Sequence, residues 1–151
     1  MKMKNELKMT NLGNLGYFLG LEFVQTEDGI HMHQRKYILE TLERFNLKNC
    51  NNTSIPVMAN LKLSYQQEET KVDATLFKQI VGTLRYSCNS RPDISFGVEL
   101  ISRFMHDPRQ SHLAVAKHIL RYLKGTTDYG LYFPRTIDNT NDVLEAWCDA
   151  D

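Results

Sequence analysis

The sequence predicts an α+β fold in which an N-terminal β-hairpin is followed by a mainly helical bundle and a C-terminal pair of strands. Three observations lead to this prediction. An apolar run near the start is closed by an Asp-Gly pair, three later segments repeat apolar residues at threes and fours, and two short apolar runs end the chain. Because the later helices follow one another with short connections, we expect an antiparallel bundle.

The first element is an apolar run over residues 17–24 that contains Gly20. Residues 27–29 end in Asp28-Gly29, and a second strand over residues 30–33 begins after them. An Asp-Gly pair readily adopts positive φ and is a strong hairpin signal. We interpret Gly20 as a glycine inside the first strand, where the missing side chain lets another backbone or a ligand approach closely.

A polar segment, residues 60–72, divides the chain and is predicted to be an exposed connector. Residues 1–59 before it hold the hairpin and an amphipathic helix from Gln34 to Leu47. Residues 73–127 after it are predicted to form the three-helix bundle, and residues 128–151 the terminal strands.

Short polar residues predict where the three later helices begin. Asp73 and Ser111 precede stretches of helical periodicity, and their side-chain oxygens can accept hydrogen bonds from free first-turn amides. The segment Arg91-Pro92-Asp93 is predicted to end one helix and begin the next. Proline disfavours helical conformation in the residue before it, and aspartate can cap the helix that follows. Gly125 is predicted to end the last helix.

Composition excludes some classes of protein and leaves others open. At 151 residues the chain is long enough for one domain with a substantial core, or for two small subdomains. Its 18 basic and 18 acidic residues give no net charge, so whole-chain electrostatics favour no partner. Its three cysteines lie far apart, and its apolar runs are shorter than the ~18 residues that cross a bilayer. We therefore expect a soluble, intracellular, cytoplasmic protein with reduced thiols and no membrane partner.

The two ends of the chain indicate a piece of a larger protein. A fold that starts with a hairpin leaves an unpaired strand edge, so we expect other sequence to precede it. The predicted last strand, residues 143–148, runs directly into Asp149-Ala150-Asp151, where the chain stops. We expect this end to lie inside a domain.

Charge on the last predicted helix has two interpretations. Lys117, Arg121 and Lys124 are spaced at i, i+4 and i+7 and therefore share a face. Such a cluster can follow a phosphate backbone, giving salt-dependent binding that ignores base sequence. It can equally be an ordinary solvated helix face. The spacing alone favours the second interpretation.

Histidines and aromatic residues of the hairpin also have alternative roles. His31 and His33 alternate on a strand and point to one side, which suggests a metal site, but no third ligand has a recognisable spacing. We therefore favour a solvent-facing pair. Tyr17 and Phe18 could stack on nucleic-acid bases, although consecutive strand residues face opposite ways. We expect one of them to be a core residue.

Four blocks of sequence carry a resemblance that covers nearly the whole chain. They are residues 9–22 (MTNLGNLGYFLGLE), residues 34–37 (QRKY), residues 81–86 (VGTLRY) with 91–94 (RPDI), and residues 104–105 (FM) with 120–126 (LRYLKGT). In this order and at these intervals they resemble the C-terminal part of the reverse transcriptase of copia-type LTR retrotransposons. Residues 147–151 (WCDAD) are similar to the start of the ribonuclease H domain that follows in those Pol polyproteins.

The resemblance implies roles for particular residues. Phe18, Leu19 and Gly20 match the hairpin that grips the primer strand near its growing end in reverse transcriptases. The helix from Gln34 then corresponds to the start of the thumb, and the three later helices to the thumb and connection that hold the duplex. Asp149 matches the first metal-binding aspartate of the ribonuclease H site. With the resemblance, phosphate binding by the basic face and a solvated face become about equally favoured.

Carboxylates needed for catalysis are missing from the sequence. Nucleotidyl transfer uses paired carboxylates that hold two metal ions, and the family's Tyr-x-Asp-Asp motif belongs before the first residue of this chain. The sequence contains no Asp-Asp pair, and Asp149 alone represents the ribonuclease H carboxylates. We expect this chain by itself to be catalytically inactive and to need no cofactor, whereas the intact parent enzyme uses Mg²⁺.

The expected partners follow from the same resemblance. They are an RNA–DNA or DNA primer–template duplex, and the upstream palm and downstream ribonuclease H segments of the parent polyprotein. Two alternatives stay open. The chain could be a small α+β protein-interaction module, or a nonfunctional relic of a degraded element.

Overall fold

The structure is a computed structural model that describes residues 13–64 and 68–135. Within these residues, a four-stranded antiparallel sheet and four α-helices confirm the α+β class. The elements are β1 (Tyr17–Phe18), β2 (Leu21–Gln25), β3 (Gly29–His33), α1 (Arg35–Arg44), α2 (Ala74–Ser87), a 3₁₀ turn (Pro92–Ile94), α3 (Ser95–Ser102), α4 (Gln110–Gly125) and β4 (Gly130–Pro134). The predicted strand over residues 143–148, and Asp149 after it, lie outside the described residues.

The apolar run over residues 17–24 is not one strand, so that prediction is wrong. Phe18 pairs with Leu21, and the chain reverses through a two-residue turn at Leu19 and Gly20. Their φ angles are 47° and 84°, the positive values that a type I′ hairpin turn requires at both central residues. Gly20 is therefore needed first for its backbone conformation.

The hairpin between β2 and β3 is confirmed, but the predicted reason for it is wrong. Four residues, Thr26–Gly29, connect the paired residues Gln25 and Ile30, and neither Asp28 nor Gly29 has a positive φ. A Cβ atom on Gly29 would collide with the backbone oxygen of Phe133 in β4. Gly29 thus allows close approach of a neighbouring strand, the role that was predicted for Gly20.

Strand β4 joins the sheet that the N-terminal hairpins form. It pairs antiparallel with β3, in a register that runs from Gly29 opposite Pro134 to His33 opposite Gly130. The strand order is therefore β1-β2-β3-β4, and the whole helical region lies between two neighbouring strands. The strand itself was predicted, but its pairing partner was not.

The helices share one hydrophobic core. Helix α4 packs against α1, α2 and α3, and α2 also packs against α3. All four helices contribute fully buried side chains, among them Ile38, Leu42, Phe77, Leu84, Val98, Ile101, Ala116 and Leu120. The three predicted later helices are therefore present, and they share this core with α1. In the part of the chain that the structure describes, no helix is long and apolar enough to span a bilayer.

The predicted helix caps have mixed outcomes. Asp73 caps α2 as predicted, because the Thr75 amide donates to its Oδ1 at 2.8 Å. The predicted end of α4 at Gly125 is confirmed. Ser111 is not the cap of α4: the helix begins at Gln110, and the Ser111 hydroxyl donates to Glu69 Oε2 at 2.6 Å. Residues of the connector therefore dock against the start of α4.

A buried arginine connects the α2–α3 junction to the end of α4. Arg91, which is 1% exposed, donates to both carboxylate oxygens of Asp93 at 3.0 and 2.7 Å and to the carbonyl and hydroxyl of Thr126 at 2.7 Å. The Tyr122 hydroxyl donates to Asp93 at 2.8 Å. Asp93 was predicted to cap a helix, and that prediction is wrong because the guanidinium and the phenol occupy its carboxylate.

These contacts set the charge state of Asp93. Burial disfavours the charged carboxylate, but hydrogen bonds from Arg91 and Tyr122 outweigh burial and hold the pKa of Asp93 below its ordinary value. A depressed folded-state pKa stabilises the protein above the pKa of the unfolded chain. This stabilisation is lost as pH falls through the lower pKa of the folded state.

Replacing the arginine tests how much this cluster stabilises the fold. We expect Arg91→Met to lower the free energy of unfolding by about 3 kcal/mol, because it leaves Asp93 and the Thr126 carbonyl without their buried partner. Urea unfolding measures the change. Arg85→Met, an exposed arginine on α2, is the matched control. Equal unfolding midpoints for the two variants would contradict this account.

Candidate nucleic-acid interface

The β1–β2 turn presents large apolar side chains to solvent. Tyr17, Phe18 and Leu19 are 55%, 53% and 72% exposed. Tyr17 pairs with Glu22 and Phe18 with Leu21, so the two aromatic rings are on opposite faces of the sheet, as predicted. The prediction that one of them is a core residue is wrong, because β1 is a two-residue edge strand that contributes nothing to the helical core.

Contacts at its base and its tip fix this hairpin against the helices. At the base, Glu22 Oε1 accepts a hydrogen bond of 2.8 Å from the Lys36 amide in the first turn of α1. At the tip, the Tyr86 hydroxyl of α2 donates to the Leu19 carbonyl. The Lys36 ammonium also lies 5.8 Å from the centre of the Tyr17 ring. The exposed turn is therefore held in a defined place, and the Tyr17 ring at the base lies near a positive charge.

The histidine pair of β3 lies beside this base, and His33 contacts Glu22. The rings of His31 and His33 lie 5.3 Å apart, and His33 Nδ1 is 3.5 Å from Glu22 Oε1. The side chain of His33 is 14% exposed, so the prediction of a solvent-facing pair is wrong for this residue. Among the described residues, no group of three or more His, Cys, Asp or Glu side chains is placed to hold a metal ion.

The basic face of α4 is only partly open. Lys117 is exposed, whereas Arg121 and Lys124 are half-buried. The Lys124 ammonium donates to the Cys50 carbonyl, and Arg121 Nη2 lies 3.4 Å from His118 Nδ1. The segment after α1 runs along this helix: its Cys50 carbonyl binds the Lys124 side chain, and its Thr53 amide donates to the backbone carbonyl of Arg121, whose side chain contacts His118 of α4 itself. Helical spacing alone gives no signal for such a covering segment.

The two groups of candidate residues have separate surroundings. The tip, Phe18–Gly20, contacts α2 through Tyr86, whereas the basic face contacts residues that follow α1. Two residues that hold the tip and its base, Tyr86 and Lys36, received no role from the sequence alone. Both lie inside the sequence blocks that carry the family resemblance. Their place in these blocks is the one feature of the sequence that could have identified them as candidate site residues. Asp149, the remaining candidate, lies outside the described residues.

One face of the sheet is almost entirely apolar. Cross-strand partners share a face, so the register places these eight residues together: Phe18, Leu21, Phe23, Gln25, Ile30, Met32, Leu131 and Phe133. Glu22 and His33, which contact α1, are on the opposite face. Within the described residues, the helical core includes no strand residue, and Phe18, Ile30 and Phe133 are 39–53% exposed.

Comparison with known proteins shows what this chain is similar to. The profile of the family described as reverse transcriptase (RNA-dependent DNA polymerase) matches residues 1–59. A retrovirus-related Pol polyprotein from transposon RE1 of Arabidopsis thaliana is 41% identical over 137 residues, which are 91% of this chain. The chain is homologous to the reverse transcriptase-like region of retrotransposon Pol polyproteins.

Other relatives of this Pol-related chain differ widely in length. The Pol polyprotein from transposon TNT 1-94 of Nicotiana tabacum is 36% identical over 99% of the chain. An uncharacterised mitochondrial protein of A. thaliana is 32% identical over 99% of the chain. The chain spans 9% of the RE1 polyprotein, 12% of the tobacco polyprotein and 61% of the mitochondrial protein. No solved structure matches it significantly.

Alanine substitutions at two glycines test the geometry of the turn. We expect Gly20→Ala to lower the free energy of unfolding by about 1 to 2 kcal/mol, because a left-handed backbone disfavours a side chain. The new Cβ would also lie 3.3 Å from the Tyr86 hydroxyl oxygen. Thermal or urea unfolding measures the effect. Gly16→Ala is the control, since its Cβ meets nothing within 4 Å and its φ is not positive. A cost no larger than that of Gly16→Ala would refute the assigned turn.

Proposed function

We propose that this chain is a primer–template-positioning segment of a copia-type retrotransposon reverse transcriptase and performs no nucleotidyl transfer by itself. The observation that carries the proposal is the exposed tip, Phe18–Gly20, which is held against the helices by contacts at both its tip and its base. Such a rigid apolar tip suits contact with the sugars and bases at the end of a primer strand. The homology to Pol polyproteins supports this role.

The helices would hold the duplex beyond the primer end. In this proposal α1 begins the thumb, α2–α4 form the thumb and connection, and Lys117, Arg121 and Lys124 face the phosphate backbone. Lys117 is free to approach a phosphate directly, because it is exposed. Lys124 and Arg121 would contribute through their positive potential, since protein atoms already contact their side chains.

Catalysis belongs to other parts of the proposed parent enzyme. Carboxylates outside this chain would hold the Mg²⁺ ions for nucleotidyl transfer, and Asp149 would be the first carboxylate of a ribonuclease H site that further sequence completes. The chain alone would be inactive in both reactions. We also propose a cytoplasmic location, where thiols such as Cys50 and Cys88 stay reduced.

The apolar sheet face favours a polypeptide partner. A contiguous face of seven apolar side chains is unusual for an independent soluble domain and suits packing against protein. We propose that the reverse-transcriptase sequence preceding this segment in Pol polyproteins covers it, with ribonuclease H sequence following. The same face supports the second candidate function, a protein-interaction module that does not bind nucleic acid.

Salt dependence separates the two functions. We expect the purified chain to bind a labelled RNA–DNA hybrid in fluorescence anisotropy titrations, with an affinity that falls steeply between low and moderate salt as counterions are released. We expect Lys117→Gln to weaken binding several-fold and to reduce the salt slope by about 1. Lys78→Gln, an equal charge change at an exposed position on α2, is the control.

Two outcomes of that titration contradict the proposal. A folded chain that does not bind the hybrid at low salt favours the protein-interaction module. Equal effects of the Lys117 and Lys78 variants would show that binding depends on total charge and not on the face of α4. Far-ultraviolet circular dichroism confirms that each variant is folded.

Primer extension tests the hairpin in a complete reverse transcriptase that carries this segment. We expect Phe18→Ala to lower extension more than it lowers stability, because the side chain is half exposed and lies outside the helical core. Phe96→Ala, which also removes an exposed phenylalanine ring, is the comparison. Unchanged extension in the Phe18 variant excludes the primer-grip role.

A further inference from the structure

Tyr86 is the helix residue that contacts the turn of the first hairpin. Its hydroxyl donates to the Leu19 carbonyl, and its ring atoms lie 3.5 and 3.8 Å from the position that a Cβ atom would take on Gly20. Leu19 and Gly20 are the two central residues of the turn. The tyrosine therefore contacts the backbone of the tip from the side of α2.

The ring of Tyr86 is itself held in place. It packs edge-to-face against the ring of Tyr37 on α1, with 4.8 Å between the ring centres. Removing the hydroxyl alone would leave this ring contact intact. The hydroxyl can therefore be tested separately from the packing of α1 against α2.

The hairpin has a second attachment that does not involve Tyr86. Glu22 binds the Lys36 amide, and it also pairs through the sheet with His33. Without the tyrosine hydroxyl, the hairpin would keep its base and its strand pairing but lose the contact that sets the position of its tip. A two-residue turn attached only at its base can pivot.

We propose that Tyr86 is a positioning residue for primer binding: its hydroxyl holds the Leu19 carbonyl and so places Phe18 and Leu19 against the primer strand. Tyr86 acts through the tip and does not touch nucleic acid itself. This inference rests on the proposed function. It adds a residue of α2 to a site that otherwise belongs to the hairpin.

Substitution by phenylalanine tests the hydroxyl. We expect Tyr86→Phe to raise the Kd for an RNA–DNA hybrid about fivefold, the effect of one lost hydrogen bond, while the urea midpoint stays near that of the wild type. Amide hydrogen exchange should become faster in peptides that cover residues 17–25 and stay unchanged in those that cover α4. Tyr132→Phe is the control, because it removes the hydroxyl of an exposed tyrosine in the sheet that contains the hairpin.

A double-mutant cycle distinguishes positioning from a separate contact. If Tyr86 acts through the tip, Tyr86→Phe has little further effect on Kd once Phe18→Ala and Leu19→Ala together have removed the two side chains that the tip presents. Additive effects of Tyr86→Phe and this paired tip substitution overturn the proposal. An unchanged Kd for Tyr86→Phe in a wild-type background that binds the hybrid also overturns it.

The failure of this inference can be told apart from the failure of the proposed function. If the wild-type chain does not bind the hybrid, both the role of Tyr86 and the proposed function are overturned. A wild-type chain that binds, with faster exchange but unchanged affinity in Tyr86→Phe, overturns the role of Tyr86 and leaves the proposed function standing.

Discussion

The buried Arg91 guanidinium is the interaction on which the arrangement of sheet and helices depends. It binds Asp93 within the 3₁₀ turn and Thr126 just beyond α4, and its Cζ lies 5.4 Å from the rings of both Tyr122 and Tyr129. Burying a guanidinium is costly, and here a bidentate carboxylate and a carbonyl offset the cost. Because Thr126 precedes β4, the same cluster that joins α3 to α4 also directs the chain back to the sheet.

The return of the chain to the sheet as β4 explains why the exposed hairpin can hold a fixed position. A two-stranded hairpin by itself is marginally stable in water, but here β4 adds a strand beside β3 and Glu22 binds the first turn of α1. The exposed turn at Leu19 and Gly20 is thus supported by the helical bundle at both ends. The functional proposal depends on this support, because an apolar tip that moved freely would position nothing.

The sequence predicted the features that depend on local patterns and missed those that depend on distant partners. The helical periodicity and the Asp73 cap are local, and the structure confirms them. The roles of Gly20 and Gly29 were exchanged, because the sequence does not distinguish a glycine needed for positive φ from one needed for close approach. Helical or strand periodicity does not predict that β4 pairs with β3, because the two strands are far apart in sequence. It also does not predict that the Asp93 carboxylate binds the Arg91 guanidinium. At the candidate site, the sequence predicted that basic residues share one face of α4, but it did not predict that the segment after α1 binds Lys124.

The central claim is that the turn at Leu19 contacts the primer strand, and photo-crosslinking tests it most directly. Leu19 is 72% exposed, so a benzophenone side chain can replace it without disturbing the core. The substituted segment would be placed in a complete reverse transcriptase and irradiated on a primer–template with each strand separately labelled. The account predicts crosslinks to the primer strand close to its 3′ end. Crosslinks to the template strand alone, or spread along the primer with no preference for its end, would contradict it.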